Sequence, residues 1–338
     1  MHNLIKILTA TLLLTQSILI LLISTTTVQA EKIVNTPYGE SQVEFKVQQF
    51  KNTPVYYVIG QSGVPGTDNE GYTSNAGFVI TKKGVVVYDT LGTPILGYLL
   101  YSAIKKITDK PITHVISGHY HADHFYGLQA FKEHSKVTVW AHKSAYIYLN
   151  NPAAKRRLIQ RRESLFPWVN EKTYIVSPDK TFPKNKTLDM GDVQIELIHA
   201  GTAHSPDDVI MLVKNYGVVF SGDLIFAGRL PFLGGEDVNT KNWLSGLSYL
   251  QQIKPTPKFI IPGHGAPDTD PTRSIAFTKD YLSFLRKIMG DAAEQLNGFA
   301  ETYNSADWTK YKNVKTFTAA NRGNAYRVFL EMESELFE

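Results

Sequence analysis

The sequence predicts an α/β fold in which two β-sheets pack face to face with helices outside, followed by a helical C-terminal stretch. Three observations carry this expectation. Strand-type alternation gives way twice to helical periodicity, so the chain runs through two β-then-α cycles. Residue types that bind metals sit where strand patterns end, the place where α/β proteins put their ligands. The 338 residues, 43% of them hydrophobic, supply a core large enough for such layers.

Residues 1–30 stand apart from the rest. MHNLIK carries one lysine, ILTATLLLTQSILILLIS is almost entirely apolar, and TTTVQA ends in a small-x-small pattern before Glu31. This layout predicts a signal peptide cleaved after Ala30, and so an exported protein, periplasmic or secreted. A retained anchor is the competing reading, because the apolar stretch approaches the ~20 residues needed to span a bilayer. Val28-Gln29-Ala30 and the interrupting Thr, Gln and Ser favour cleavage.

The mature chain reads as one domain, 31–270, with a helical extension at 271–338. VEFKVQQF (43–50), VYYVIG (55–60), AGFVIT (76–81) and GVVVYD (84–89) are strand patterns, the last two joined across a Lys82-Lys83-Gly84 turn. PILGYLLYSAIKKI (94–107) has helical periodicity and is closed by Pro111, after which ITHVIS (112–117) is a short strand. FYGLQAFKEH (125–134) reads as a helix and KVTVWA (136–141) as a strand. The second cycle comprises strands at 193–200, 208–214 and 217–222, a helix at 242–253, and a strand at 258–265 running into a loop.

Composition narrows the chemistry. The chain has no cysteine, so it forms no disulfides, and any metal site must use His, Asp and Glu, which favours zinc, with iron or manganese as alternatives. The net charge of +4 falls to +3 once the segment holding Lys6 is removed. So small and dispersed an excess gives no case for nucleic acid, and a small-molecule substrate is the expected partner, with no membrane contact after cleavage. Nothing in the residues sets the oligomeric state.

ISGHYHADHFYG (116–127) concentrates the metal-binding types. His119 and His121 are two apart on a loop leaving a strand, so their rings can converge on one cation, while Asp123 and His124 would face the other side. A single zinc takes three or four ligands, so four ligand-type residues in six positions suggest two adjacent ions. Three later strand ends supply the remainder: His204 in GTAHSPDD, Asp223 in FSGDLIF and His264 in IPGHGAP. Neighbouring glycines let the backbone turn at each.

The ordered pattern HYHADH…H…GD…H resembles the metallo-β-lactamase superfamily, over about residues 70–270. The resemblance implies an αββα four-layer sandwich. It implies His119, His121 and His204 around a first zinc, Asp123, His124 and His264 around a second, and Asp223 bridging the two. Asp89, in VVVYDTLGT, matches an outer carboxylate that holds a ligating histidine, although Leu91 interrupts the family's Asp-Thr-Gly element. Two such cations lower the pKa of a bridging water toward ~7, which implies hydroxide attack on a carbonyl with Asp123 orienting it or shuttling its proton.

Asp223 is typical of the glyoxalase II-like and lactonase branches, since true β-lactamases usually carry Cys or Ser there. The run SGDLIFAGRLPF, with the signal peptide, looks most like exported hydrolases of quinoprotein and sulfur-oxidation systems. The expected activity is hydrolysis of an ester, thioester, lactone or β-lactam. The alternatives are a mononuclear iron enzyme of the persulfide dioxygenase type and a true metallo-β-lactamase.

Other residues take structural readings first. His114, His134 and His142 are expected in strands or at element ends, and His199, the competitor of His204, in the core or behind a ligand. KRRLIQRRESLF (155–166), with five basic residues, reads as an amphipathic helix with Leu158, Ile159, Leu165 and Phe166 turned inward; an anion- or membrane-contacting patch is the competing reading, and a lid over the site a further one. The glycine-rich loop 227–243 is expected to wall the substrate pocket, with Arg229 meeting an anionic group. Tyr120 and Trp168 are candidate pocket aromatics.

Overall fold

Strand and helix patterns resolve into two packed sheets in a computed structural model that describes residues 33–235 and 237–337. The expected signal peptide lies outside the described residues. Residues 35–338 cluster as one unit. A small hairpin of β1 (Val34–Thr36) and β2 (Gly39–Ser41) precedes the first sheet, which has seven strands in sequential order. These are β3 (Gln48–Gln49), β4 (Val55–Val58), β5 (Ala76–Thr81), β6 (Gly84–Tyr88), β7 (Ile112–Ile116), β8 (Thr138–His142) and β9 (Lys180–Phe182). Pairing is antiparallel from β3 to β6 and parallel from β6 to β9.

Parallel strands need crossovers, and the helices provide them. Helix α1 (Pro94–Ile107) links β6 to β7; α2 (Ala122–Phe125) and α3 (Leu128–His134) link β7 to β8; α4 (Ala145–Leu149) and α5 (Pro152–Ser164) precede β9. The Thr93 side chain caps α1 by accepting from Leu96 N–H, and Pro94 takes the first turn, where a missing N–H costs nothing. The single helix expected at 125–134 is broken at Gly127. A Cβ there would strike the Thr90 carbonyl and Gly97, so the chain turns where α1 passes closest.

The second sheet has five strands in order: β10 (Lys186–Asp189), β11 (Gln194–His199), β12 (Val209–Val213), β13 (Val218–Phe226) and β14 (Phe259–His264). Only β13 and β14 are parallel, joined through α6 (Thr240–Gln252). Helices α7 (Pro271–Glu294), α8 (Phe299–Ser305) and α9 (Phe317–Glu335) follow, and α7 packs on β13, β14, α6 and α9.

The strand β12, VIMLV, shows why one sequence serves two cores. Val209, Met211 and Val213 join Val79, Val86, Ile116 and Phe220 between the sheets. Ile210 and Leu212 point the other way, to Trp243, Leu247, Ile275 and Leu282 under the outer helices. A strand buried on both faces reads as continuously apolar, and each such side chain contributes roughly 1.5–3 kcal/mol.

Three expectations need correction. Of the run 43–50, only Gln48–Gln49 enters a ladder, because the run lies at the sheet edge with one short partner. Ile159 and Phe166 are exposed rather than inward, since α5 seats only Ala154 and Leu158 on the body, with Leu165 following. β9 and β10 were not foreseen, because KTF and KTLD are too short and polar to show a pattern.

Candidate metal centre

Every ligand-type residue singled out in the sequence comes to one end of the two sheets. His119 and His121 lie on the loop leaving β7, and Asp123 and His124 occupy α2, a single helical turn rather than a loop. His204 lies on the β11–β12 connection and His264 is the last residue of β14. Asp223 lies within β13, which runs past it to Phe226. The β13–β14 register shifts between Phe220 and Gly222 and again between Gly222 and Phe226, and such a bulge re-aims a side chain.

Two groups of donors result. In the first, His121 Nδ1 lies 2.9 Å from His204 Nε2, and Asp223 Oδ2 lies 3.3 Å from His204 Nε2 and 3.7 Å from His119 Nε2. In the second, His264 Nε2 lies 3.4 Å from His124 Nε2 and 3.3 Å from Asp123 Oδ2. The other oxygen of Asp223, Oδ1, lies 3.1 Å from His124 Nε2 and 3.4 Å from His264 Nε2. One carboxylate thus presents an oxygen to each group. Within each group the donor atoms all fall within 4.8 Å of one another.

The arrangement fits a pair of cations. Both ring nitrogens of His119 and Nδ1 of His204 are buried with no hydrogen-bond partner. Ring nitrogens that face one another across 2.9 and 3.4 Å would set lone pair against lone pair unless a proton or a cation lay between them. Burial pushes His121 down to about 4 and His204 down to about 3, so both rings stand neutral, the form that ligates. His124 is also buried, yet Asp223, Asp123 and Asp89 outweigh that and raise it well above the usual histidine value. Burial works against ionisation of Asp223, but the His264 and His124 rings hold it well below the ordinary carboxylate range.

An outer ring of bonds aims the ligands. Asp89 Oδ2 lies 2.8 Å from His124 Nδ1, while Asp89 Oδ1 accepts from Gly118 N–H at 2.6 Å. Asp89 and Leu91 both adopt left-handed backbone, with φ of 56° and 71°, so the Leu that interrupts the Asp-Thr-Gly element does not displace Asp89. The Thr73 carbonyl accepts from His264 Nδ1 at 2.7 Å, which leaves Nε2 to ligate. A main-chain acceptor leaves no trace in a sequence, and Thr73 was missed for that reason. Asp207 was missed as well. Its Oδ2 accepts from Tyr120 N–H at 3.1 Å, and burial lifts its pKa to about 7. The doubled acid in HSPDD was the available signal.

Above the ligands opens a cavity of about 780 Å³, within the range of small-molecule sites. The glycine-rich loop after Asp223 forms one wall through Phe232, Gly234, Gly235 and Asp237, and α5 forms the opposite one. Arg229 is buried and tethered: it donates to the Gly63 carbonyl at 2.9 Å and lies against the rings of Phe226 and Phe232. It also lines the cavity. Tyr120 lines the cavity as well; its ring is tilted against Phe125, and its hydroxyl donates to the Val176 carbonyl. Trp168 donates to the Glu40 carbonyl and does not line the cavity.

The remaining histidines have structural partners. His199 stacks on His142 with ring centroids 3.5 Å apart and bonds the Pro206 carbonyl, so it backs the loop that carries His204. His114 bonds Thr113 and lies over Trp140, and His134 packs among Tyr38, Tyr98 and Tyr101.

Comparison with known proteins agrees with this geometry. The family model described as the metallo-beta-lactamase superfamily matches residues 70–264. A metallo-beta-lactamase type 2 of Elizabethkingia meningoseptica is 25% identical over 251 residues, 73% of this chain and 88% of that protein. The solved structure of a metallo-beta-lactamase from Pontibacter korlensis aligns with a TM-score of 0.57 at 23% identity, over 71% of this chain and 99% of that one. The stereoselective inverting sec-alkylsulfatase Pisa1 from Pseudomonas sp. gives a TM-score of 0.65 at 18% identity, over 82% of this chain and 49% of its own. With the family model covering more than half of its length and the donors gathered as described, the chain belongs to the metallo-β-lactamase superfamily and is a metal-dependent hydrolase.

Proposed function

We propose that the chain is an exported dinuclear zinc hydrolase that attacks a carbonyl substrate, namely an ester, thioester, lactone or β-lactam. The observation that carries the reading is Asp223, whose two oxygens face two separate donor groups 3.1–3.7 Å away. Nitrogen and carboxylate donors without thiolate suit zinc first, with iron or manganese as alternatives.

Bound ions would supply a lowered water pKa and polarisation of the carbonyl. The chain's own residues do the rest. His119, His121 and His204 form one set of holders and His124 and His264 the other, with Asp223 between them. Asp123 has part of its side chain open to the cavity, accepts from the Thr73 hydroxyl at 3.4 Å and is held ionised by the His124 and His264 rings. It is therefore placed to orient an attacking water or take its proton. Phe232, Gly234, Gly235 and Asp237 wall the cavity above that floor, where a substrate would lie. Export is supported by the composition of residues 1–30. No helix among the described residues is long and apolar enough to cross a membrane.

The test is elemental analysis of purified protein together with a hydrolysis panel of chromogenic β-lactams, lactones and thioesters. Two zinc ions per chain and turnover of one class is the expected result. A single iron with oxygen uptake on a persulfide would overturn it. N-terminal sequencing of the exported protein should begin at Glu31.

A further inference from the structure

Helix α5 lays a basic stripe along the edge of the cavity. Asn151 caps it, its side chain accepting from Ala153 N–H, with Pro152 in the first turn. Two faces then separate by spacing. Ala154 and Leu158, four apart, are buried against the body of the protein. Ala153, Arg156, Arg157, Gln160 and Arg161 fall at i, i+3, i+4, i+7 and i+8 and line the cavity over the metal ligands. Ile159, an apolar residue, faces solvent instead.

These guanidinium groups, exposed at Arg156 and Arg157 and half-buried at Arg161, form no ion pair among the described residues. Arg161 is half-buried, and its side chain makes no hydrogen bond or ion pair among the described residues; Asp123 is the carboxylate whose field it feels. Arg157 bonds only the neutral Gln160 side chain, at 2.9 Å, and its charge reaches His121. Arg162, one residue on, differs: it is satisfied by the carbonyls of Asn170, Glu171 and Thr173. Of the carboxylates that line the cavity, Asp237 is exposed and makes no ion pair with these arginines among the described residues. Asp123 and Asp223 belong to the donor groups, and Asp207 accepts from Tyr120. Metal ions on the floor would add positive charge to this wall. Cations lining a cavity without carboxylate partners of their own focus a field there that attracts an anion.

We propose that Arg157 and Arg161 form the docking site for an oxyanionic group of the substrate, a carboxylate or a sulfate carried apart from the bond that is cut. This deepens the hydrolase reading and rests on it for the word substrate. Guanidinium suits such a group because its planar fork bonds two oxygens at once, which Lys does not do.

The experiment uses metal-loaded full-length protein of measured metal content and two probes, benzoate and inorganic sulfate, with binding followed by calorimetry. Charge-assisted bonds of this kind are lost at a cost of about tenfold to a hundredfold in affinity. Wild type should bind at least one probe, and the Arg157→Gln/Arg161→Gln double variant should bind it at least about tenfold more weakly at unchanged metal content. The preferred probe separates carboxylate from sulfate. An Arg161→Lys variant should recover only part of the loss. Equal affinity in wild type and double variant would place the anion on the metal centre and overturn the proposal, as would absence of binding to wild type. Among substrates, the preference for an anionic over a neutral ester should fall by a similar factor in the double variant. Failure of every ester, with arginine-dependent anion binding intact, would refute the hydrolase reading alone.

Discussion

Asp223 shows how much one side chain can decide. It is nearly inaccessible, ionised, and divided between two groups of imidazoles, so its removal dismantles both sites. Asp223→Ala and His121→Ala should abolish hydrolysis while circular dichroism remains native; full activity in either would refute the assignment. Asp89→Asn keeps the shape but loses the charge that holds His124. Metal affinity should fall about 10- to 100-fold, read by competition with a chromogenic chelator. The two groups should also part company with pH. His121 and His204 sit at about 4 and about 3, and stay neutral through the weakly acidic range. His124 is raised and binds a proton that a metal must displace. Occupancy of its group should therefore fall first as pH drops from about 8 to about 5. Equilibrium dialysis followed by elemental analysis should count close to two ions per chain at the higher pH and close to one at the lower. Equal loss from both groups would contradict this.

At the scale of elements, the site depends on close approach between β13 and β14. Gly222 has a φ of 53° at the bulge that aims Asp223, and Gly263 opposite has no room for a side chain, because a Cβ would meet the Asp223 carboxylate and the Gly222 backbone. Gly263→Ala should thus cost metal as well as stability, seen as reduced zinc content in protein that still folds. Zinc content equal to wild type would show that the strands can separate without harm. Helix α5 teaches a related lesson. Its sequence, PAAKRRLIQRRES, has little amphipathic character, and which side faces the protein was settled by where Ala154 and Leu158 found a seat.

At the scale of the molecule, the ligands come from both sheets. His119, His121, Asp123 and His124 follow β7 of the first, while Asp223 and His264 belong to β13 and β14 of the second and His204 joins β11 to β12. Bound ions would staple the sheets together, since the unfolded chain offers no such site. At a free concentration 100 times the dissociation constant, this linkage amounts to about 2.7 kcal/mol. Stripping with a chelator should lower the thermal midpoint by several degrees, and zinc should restore it. A midpoint indifferent to chelator would mean that the centre forms without metal and adds nothing to folding.

How much of this was legible in the sequence depends on range. Strand and helix identity came from periodicity, which is a local property, and the bounds of β5 and α1 match the patterns at 76–81 and 94–107. The donors were legible because His, Asp and Gly are rare in such combinations, and because their order along the chain resembles that of one family. The pairing of those donors was not local. That Asp223 Oδ1 faces His264 while Oδ2 faces His204 follows from a bulge in β13 and its register with β14. The Thr73 carbonyl behind His264 carries no side-chain signature, and neither does the Gly63 carbonyl that holds Arg229, six residues beyond Asp223, at the cavity wall. Sequence by itself determined the layers and the kinds of atoms the site contains, because periodicity and residue type are written residue by residue. Tertiary structure alone decided which atoms meet, which arginines face the cavity and which are already satisfied, because those depend on contacts between segments up to 191 residues apart.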